Sequence, residues 1–101
     1  MNYHVILHPE ALKELEVSVQ WYENRAEGLG LKFIASVHKK LKDIAAQPDK
    51  YAKKIKNYRE VGVDVFPYVI IYEVLMDEQK VFIHYIFHNR RNPKLKYRRK
   101  P

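Results

Sequence analysis

The segment Val81–Arg91, VFIHYIFHNRR, decides the fold of this sequence. Its first seven residues are apolar, aromatic or histidine, and the polar and charged end begins abruptly at His88. Such a run predicts a strand near the centre of a sheet, where both faces are covered. The end of such a strand holds a few polar groups rigidly at the surface, so we expect the functional site to lie there.

Other β-prone segments surround this strand. Tyr68–Leu75 is rich in β-branched and aromatic residues, and a tight polar turn at 76–79 joins it to the final strand, which predicts a hairpin over 66–76 and 80–88. Alternation over Lys54–Val63 predicts a further strand, and Asn2–Leu7 predicts a short first strand.

Two helices separate the first strand from the others. Apolar residues recur at helical spacing over residues 9–26, and Pro9 suits a first helical turn. A second helical pattern runs from Gly30 to Pro48, after the link Gly28-Leu29-Gly30, and so short a link requires an antiparallel hairpin. The sequence therefore predicts one α+β domain over residues 1–101. Its order is β-αα-βββ, with the helix hairpin on one face of a mostly antiparallel four-stranded sheet.

The charge is polarised along the chain. The net charge is +7, and residues 89–101 carry seven basic residues and no acid, so the remainder is balanced. A second basic cluster lies between Asp49 and Glu60, whereas the first helix is acidic. This field favours a polyanion or an acidic protein as partner, although charged tails also serve solubility.

Several function classes are excluded by what the sequence lacks. It has no cysteine, which removes disulfides, thiolate catalysis and cysteine-ligated zinc. No segment resembles a signal peptide or a membrane span, so we expect a cytoplasmic protein without membrane contact. His84 and His88 are about 13 Å apart on a strand, too far for one metal ion. We predict no metal and no cofactor, since there is no glycine-rich phosphate loop either.

Basic and aromatic side chains remain as candidates, and we expect them to converge at one end or face of the sheet. The candidate catalytic residues are His88, Arg90, Arg59 and Tyr97, and the candidate binding residues are Lys53, Lys54, Lys56, Arg91, Arg98 and Trp21. Cations neutralise phosphate, aromatic rings stack on bases, and histidine transfers protons near neutral pH.

A purely structural role remains an open alternative for two of these residues. His88 also fits a strand end that only hydrogen-bonds a loop. Trp21 forms with Val17 a second apolar strip on the first helix, which serves either helix packing or a partner.

Three segments resemble one family in the right order. WYENRAEGLGLKFIASV (Trp21–Val37) resembles the helix-hairpin signature of RelE/ParE-type toxins, also called plasmid-stabilisation proteins. Arg59 followed by FPYVIIYEV (Phe66–Val74) resembles the central hairpin of the family. FHNRRNP (Phe87–Pro93) resembles its strand end. Together these segments cover nearly the whole chain.

The resemblance implies a growth-inhibiting toxin of a bacterial type II toxin–antitoxin pair. It implies a cognate acidic antitoxin that forms an oligomer with the toxin and silences it. RelE-like members cut mRNA on the ribosome without metal, whereas ParE-like members are not nucleases and block DNA gyrase. The first two segments favour the ParE-like branch. A nontoxic basic binding module is the third alternative.

The resemblance extends to site residues only in part. Arg90 matches the strand-end arginine of the ribonucleases, His88 matches a histidine that some of them use, and Tyr97 lies near their terminal tyrosine. Lys53 and Lys54 stand loosely where these enzymes have lysines in the second strand. Val69 departs from the pattern, because RelE has arginine there, so Arg59 or Arg90 would have to stabilise the phosphate.

Overall fold

The computed structural model describes residues 2–100. The first part of the chain forms strand β1 (His4–Leu7) and two helices, α1 (Pro9–Arg25) and α2 (Leu29–Ala46). Four strands follow, namely β2 (Lys53–Ile55), β3 (Tyr58–Gly62), β4 (Tyr68–Leu75) and β5 (Lys80–His88). Short 3-10 turns lie at Met76–Glu78 and Pro93–Leu95. The predicted α+β architecture, with two helices on a mostly antiparallel sheet, is confirmed.

The sheet has five strands where four were predicted, because the predicted strand Lys54–Val63 is two strands. The chain reverses at Lys56 and Asn57, and Lys56 takes a left-handed conformation with φ of 51°. Alternation of residue types continues through such a tight reversal, so periodicity alone does not reveal it.

The strand order in the sheet is β1-β5-β4-β3-β2, with β1 parallel to β5 and all other pairs antiparallel. β1 pairs only with the first half of β5, from Lys80 to Ile83. β5, which was predicted to lie near the centre of the sheet, therefore has a neighbouring strand on both sides only up to Ile83. Beyond that residue, its outer edge needs other partners.

Both faces of the sheet are covered, which explains the continuous apolar run in β5. Ile83 and Ile86 belong to the larger core under the helices, together with Phe33 of α2. Tyr85 and Phe87 belong to a smaller cluster on the opposite face. Tyr97 of the C-terminal segment packs against that smaller cluster, so the basic segment lies on the sheet.

The link between the helices explains the GLG motif. The carboxylate of Glu23 accepts hydrogen bonds from the backbone N–H groups of Gly28 (2.9 Å) and Gly30 (3.0 Å), at the start of α2. Gly28 has φ of 84°, which glycine adopts without strain. A Cβ on Gly30 would lie 2.7 Å from the backbone oxygen of Val19, so the two helices meet as closely as a glycine allows.

Neither helix within residues 2–100 is long and apolar enough to cross a membrane.

Candidate functional site

The predicted site at the end of β5 is a closed turn built on His88. Arg90 donates its backbone N–H to His88 Nδ1 (3.0 Å), and Asn89 donates its own to the carbonyl of Pro67 (2.8 Å). The imidazole lies edge-to-face against Tyr68, with the ring centres 4.9 Å apart. His88 thus accepts a hydrogen bond from the loop that follows it, as the structural alternative predicted. Because Nδ1 accepts a hydrogen bond, the neutral ring carries its proton on Nε2.

A groove separates this strand end from helix α1. Two adjoining cavities of about 330 and 250 Å³ form it, and both are lined by Val17, Ser18, Tyr68 and His88. The larger cavity is at the lower limit of small-molecule pockets, so the groove suits side chains of a protein partner better. Trp21 lines the smaller cavity.

The second apolar strip of α1 is exposed rather than packed between helices. Val17 is 62% and Trp21 51% exposed. The guanidinium of Arg25 lies 4.4 Å from the centre of the Trp21 ring. This exposure contradicts the helix-packing alternative for the strip, and the partner alternative stays a prediction.

The floor of the groove contains an ion-pair network that the sequence analysis missed. Glu14 of α1 accepts two hydrogen bonds from the Arg99 guanidinium (2.8 and 3.0 Å), one from the Ile86 backbone N–H (3.1 Å) and one from Arg91. Arg99 also donates to the carbonyl of His84 (2.7 Å). These two side chains replace the strand neighbour that β5 lacks beyond Ile83.

No local pattern marks Glu14, because its partners lie 72 to 85 residues away in sequence. In the sequence, nothing distinguishes Glu14 from the other acidic residues of the first helix. Its carboxylate pairs with both Arg91 and Arg99, and Glu60 lies 3.5 Å from Lys96 Nζ and accepts a hydrogen bond from Tyr97. Three of the seven basic residues of the C-terminal segment are thus paired with two acids, and the segment keeps a positive net charge.

The structure does not bring the predicted cations together in one pocket. Arg59 and His88 share a face of the sheet, because their partners Tyr72 and Tyr68 both belong to the helix-side core, but they are far apart along the strands. Arg59 lies opposite Tyr72 in the sheet, whereas His88 lies opposite Tyr68, about 13 Å further along the strand. Arg59 donates to the carbonyl of Tyr51 (2.6 Å) and lines a separate small cavity with Lys53. The sheet register decides this separation, and the sequence does not contain it.

The other candidates are also dispersed. Tyr97 packs against Tyr58 on the face opposite the helices, with ring centres 5.4 Å apart. Arg90 and Arg98 are exposed, as are the lysines of β2 and its turn at positions 53, 54 and 56. Arg91 and Trp21 do join His88 at the groove. The functional roles of all these residues remain predictions.

His84 is fully buried in the sheet. It lies at an irregularity in the β4–β5 pairing, and its Nε2 is 2.9 Å from Glu73 Oε1. Burial lowers the pKa of His84, and the hydrogen bond to Glu73 opposes that shift. Within residues 2–100, no group of three or more histidine, aspartate or glutamate side chains is placed to hold a metal ion.

The fold resembles those of several solved toxin structures of low sequence identity. The structure resembles that of a chromosomal ParDE toxin–antitoxin system from P. aeruginosa, with a TM-score of 0.71, 14% identity, and coverage of 85% of this chain and 95% of that chain. It also resembles a double arginine-to-alanine mutant of E. coli toxin RelE in the free state, with a TM-score of 0.66, 18% identity, and coverage of 89% and 86%. The same mutant in complex with a RelBc antitoxin peptide gives a TM-score of 0.61, 20% identity, and coverage of 87% and 84%.

The sequence then gives the family. The model of the ParE toxin of the type II toxin–antitoxin system parDE matches residues 5–93. The chain therefore belongs to the ParE toxin family, within the RelE/ParE group of type II toxins that its motifs resemble. No curated protein matches it.

Proposed function

We propose that this protein inhibits bacterial growth by binding DNA gyrase, and that it does not cut mRNA. The family match over residues 5–93 supports a ParE-like activity. The observation that carries the proposal is the separation of Arg59 and Tyr97 from the turn that holds His88 and Arg90.

Metal-independent RNA cleavage needs a base, an acid and a cation within reach of one phosphate. His88 borders the groove beside α1, Arg59 lies in a different cavity, and Tyr97 lies on the opposite face with its hydroxyl donated to Glu60. Val69, where RelE-like enzymes have arginine, adds no cation. A protein-binding mechanism does not require these groups to meet.

The alternative is a RelE-like, ribosome-dependent endoribonuclease. One observation favours it: among residues 2–100, no group hydrogen-bonds His88 Nε2, and the exposed Arg90 follows two residues later. A substrate that brings its own 2′-hydroxyl would then rely on this single histidine and on ribosomal groups.

We further propose a cognate acidic antitoxin that forms an oligomer with this toxin in the cytoplasm. An amphipathic segment fits the groove beside α1, where Val17 and Trp21 offer apolar surface. Three basic side chains (Lys13, Arg91 and Arg99) outnumber the two acids (Glu10 and Glu14) that line the larger cavity, so its net charge is positive. The complex of E. coli RelE with a RelBc peptide supports an antitoxin segment as the kind of ligand such a toxin takes.

The test compares the two targets directly. Purified protein is added to a gyrase supercoiling assay and, separately, to a translating extract in which mRNA ends are mapped. We expect inhibition of supercoiling and intact mRNA, with double-strand DNA breaks in expressing cells. Cleavage of mRNA without inhibition of gyrase would refute the proposal. In that case His88→Ala is expected to lower cleavage about 10²–10⁴-fold, as loss of a general acid or base does.

A further inference from the structure

The turn between β3 and β4 holds a valine that neither its backbone nor its surroundings favour. Val65 has φ of 75° and is 94% exposed. In this left-handed region a β-branched side chain crowds its own backbone, whereas glycine or asparagine fit with less strain. Burial does not compensate, because the side chain contacts almost nothing in the protein. The fold therefore gives no reason for valine at this position.

The turn is held firmly on both sides of Val65. The carboxylate of Asp64 lies 3.7 Å from Lys40 Nζ of α2. On the other side, the Phe66 ring packs edge-to-face on Phe33 in the core, with ring centres 5.1 Å apart. The exposed Asp64 pair contributes little by itself. The backbone N–H of Val63 also donates to the carbonyl of Tyr68 (2.9 Å), which closes the turn and leaves the Val65 side chain projecting from it as an apolar knob. Strain that the surrounding structure maintains is typical of functional sites.

The same turn is tied to the end of β5. The carbonyl of Pro67 accepts a hydrogen bond from the backbone N–H of Asn89 (2.8 Å), and the exposed Arg90 is the next residue along the chain. Within residues 2–100, no acidic side chain pairs with Arg90. The knob and an uncompensated cation thus belong to one end of the sheet.

We propose that Val65 is the apolar contact by which this toxin engages its folded protein target. The target would offer a small preformed apolar socket with an acidic rim facing Arg90. The inference rests on the proposed function, in which the target is DNA gyrase. A rigid knob suits a preformed socket, because neither side must be ordered on binding.

The knob is distinct from the groove proposed for the antitoxin. Val65 lines neither cavity of that groove. A segment that folds on binding takes a groove along which several side chains insert, whereas a single protruding side chain offers it little surface. Target binding and antitoxin binding are therefore expected to respond differently to changes at Val65.

The test uses Val65→Gly in the full chain, with two matched controls. Gln79→Gly removes a side chain from another exposed left-handed residue, at the turn between β4 and β5. Leu31→Ala truncates an apolar side chain of α2 that is 71% exposed. For each variant, four quantities are measured: the toxin concentration that half-inhibits gyrase supercoiling, the affinity for the antitoxin, the inhibition of cell growth, and the urea midpoint of unfolding.

We expect Val65→Gly to weaken gyrase inhibition and toxicity about tenfold or more, as loss of a central interface contact does. Its urea midpoint should be unchanged or higher, and antitoxin affinity should stay within about twofold, because strain is relieved and the groove is untouched. Both controls should inhibit like the wild type. Loss of gyrase inhibition without loss of stability is something a merely structural role does not produce.

The outcomes separate this inference from the proposed function. Full toxicity of Val65→Gly would overturn the inference, whatever the target is. A wild type that arrests growth without inhibiting gyrase, together with a nontoxic Val65→Gly, would overturn only the choice of gyrase. Equal loss of inhibition in Gln79→Gly or Leu31→Ala would also overturn the inference.

Discussion

Replacing Glu14 by alanine is expected to release the C-terminal segment from the sheet. The Glu14 side chain is 14% exposed, and its carboxylate accepts hydrogen bonds from Arg99, Arg91 and the Ile86 backbone. Glu14→Ala removes all of these bonds at once. It also leaves an edge of β5 without its side-chain partner.

The expected loss can be worked out from these contacts. The two-pronged bond to the Arg99 guanidinium contributes about 1.5–3 kcal/mol net, and the bond from the Ile86 N–H about 1 kcal/mol. Arg99 is not left wholly unpaired, because it still donates to the His84 carbonyl and lies 4.1 Å from the centre of the Tyr85 ring. We therefore expect the free energy of unfolding to fall by about 2–4 kcal/mol. For a chain of this size that lowers Tm by roughly 10–25 °C.

Urea unfolding followed by circular dichroism measures this loss. Glu16→Ala, on the exposed side of the same helix, is the matched control and should change stability by less than about 0.5 kcal/mol. A double-mutant cycle with Arg99→Ala should give a coupling energy of about 1–3 kcal/mol. Hydrogen exchange of the Arg98 amide, which donates to the Tyr85 hydroxyl (3.0 Å), should accelerate in Glu14→Ala. A loss below about 0.5 kcal/mol, or strict additivity of the two variants, would refute the reasoning.

Three further predictions follow from buried or crowded groups. Gly30→Ala should lower the free energy of unfolding by about 1–3 kcal/mol, because the added methyl meets the backbone of α1. Burial lowers the pKa of His84, so as pH falls below 6.5 the unfolded chain gains a proton that the folded chain resists. Stability should therefore decrease with acidity in that range, and His84→Gln should flatten the dependence. Tyr72→Phe should cost about 1 kcal/mol, because the hydroxyl donates to the Pro48 carbonyl (2.8 Å).

These predictions have internal controls. A Cβ on Gly62 has no neighbour within 4 Å, so Gly62→Ala should leave the urea midpoint nearly unchanged. Equal effects at Gly30 and Gly62 would contradict the close helix contact. If His84→Gln keeps the wild-type dependence of stability on pH, groups other than His84 cause that dependence and the prediction is wrong. Burial raises the pKa of Tyr72 to about 12 and also raises the pKa values of Tyr22 and Tyr58, so in alkaline titration Tyr72→Phe should reduce the tyrosine signal at the highest pH without abolishing it.

The sequence by itself determined the fold class and the elements, apart from the division of Lys54–Val63 into β2 and β3. Helical spacing located α1 and α2, and the short glycine link required them to be antiparallel. The apolar run in β5 indicated a strand covered on both faces, and the ordered motifs indicated the toxin family. Each of these features can be recognised within a short segment of sequence, because the burial of each residue follows the period of its own helix or strand.

Only the tertiary structure decided which side chains meet. Register along β4 separates Arg59 from His88 by four residues, because Arg59 lies opposite Tyr72 in the middle of β4 and His88 lies opposite Tyr68 at its start. Glu14 meets Arg99 across 85 residues, and a segment that reads only as positive charge becomes the cover of a sheet face. Val65 reads as an ordinary turn residue until its φ is known. Such contacts depend on topology and strand register, which no periodicity within a single segment records.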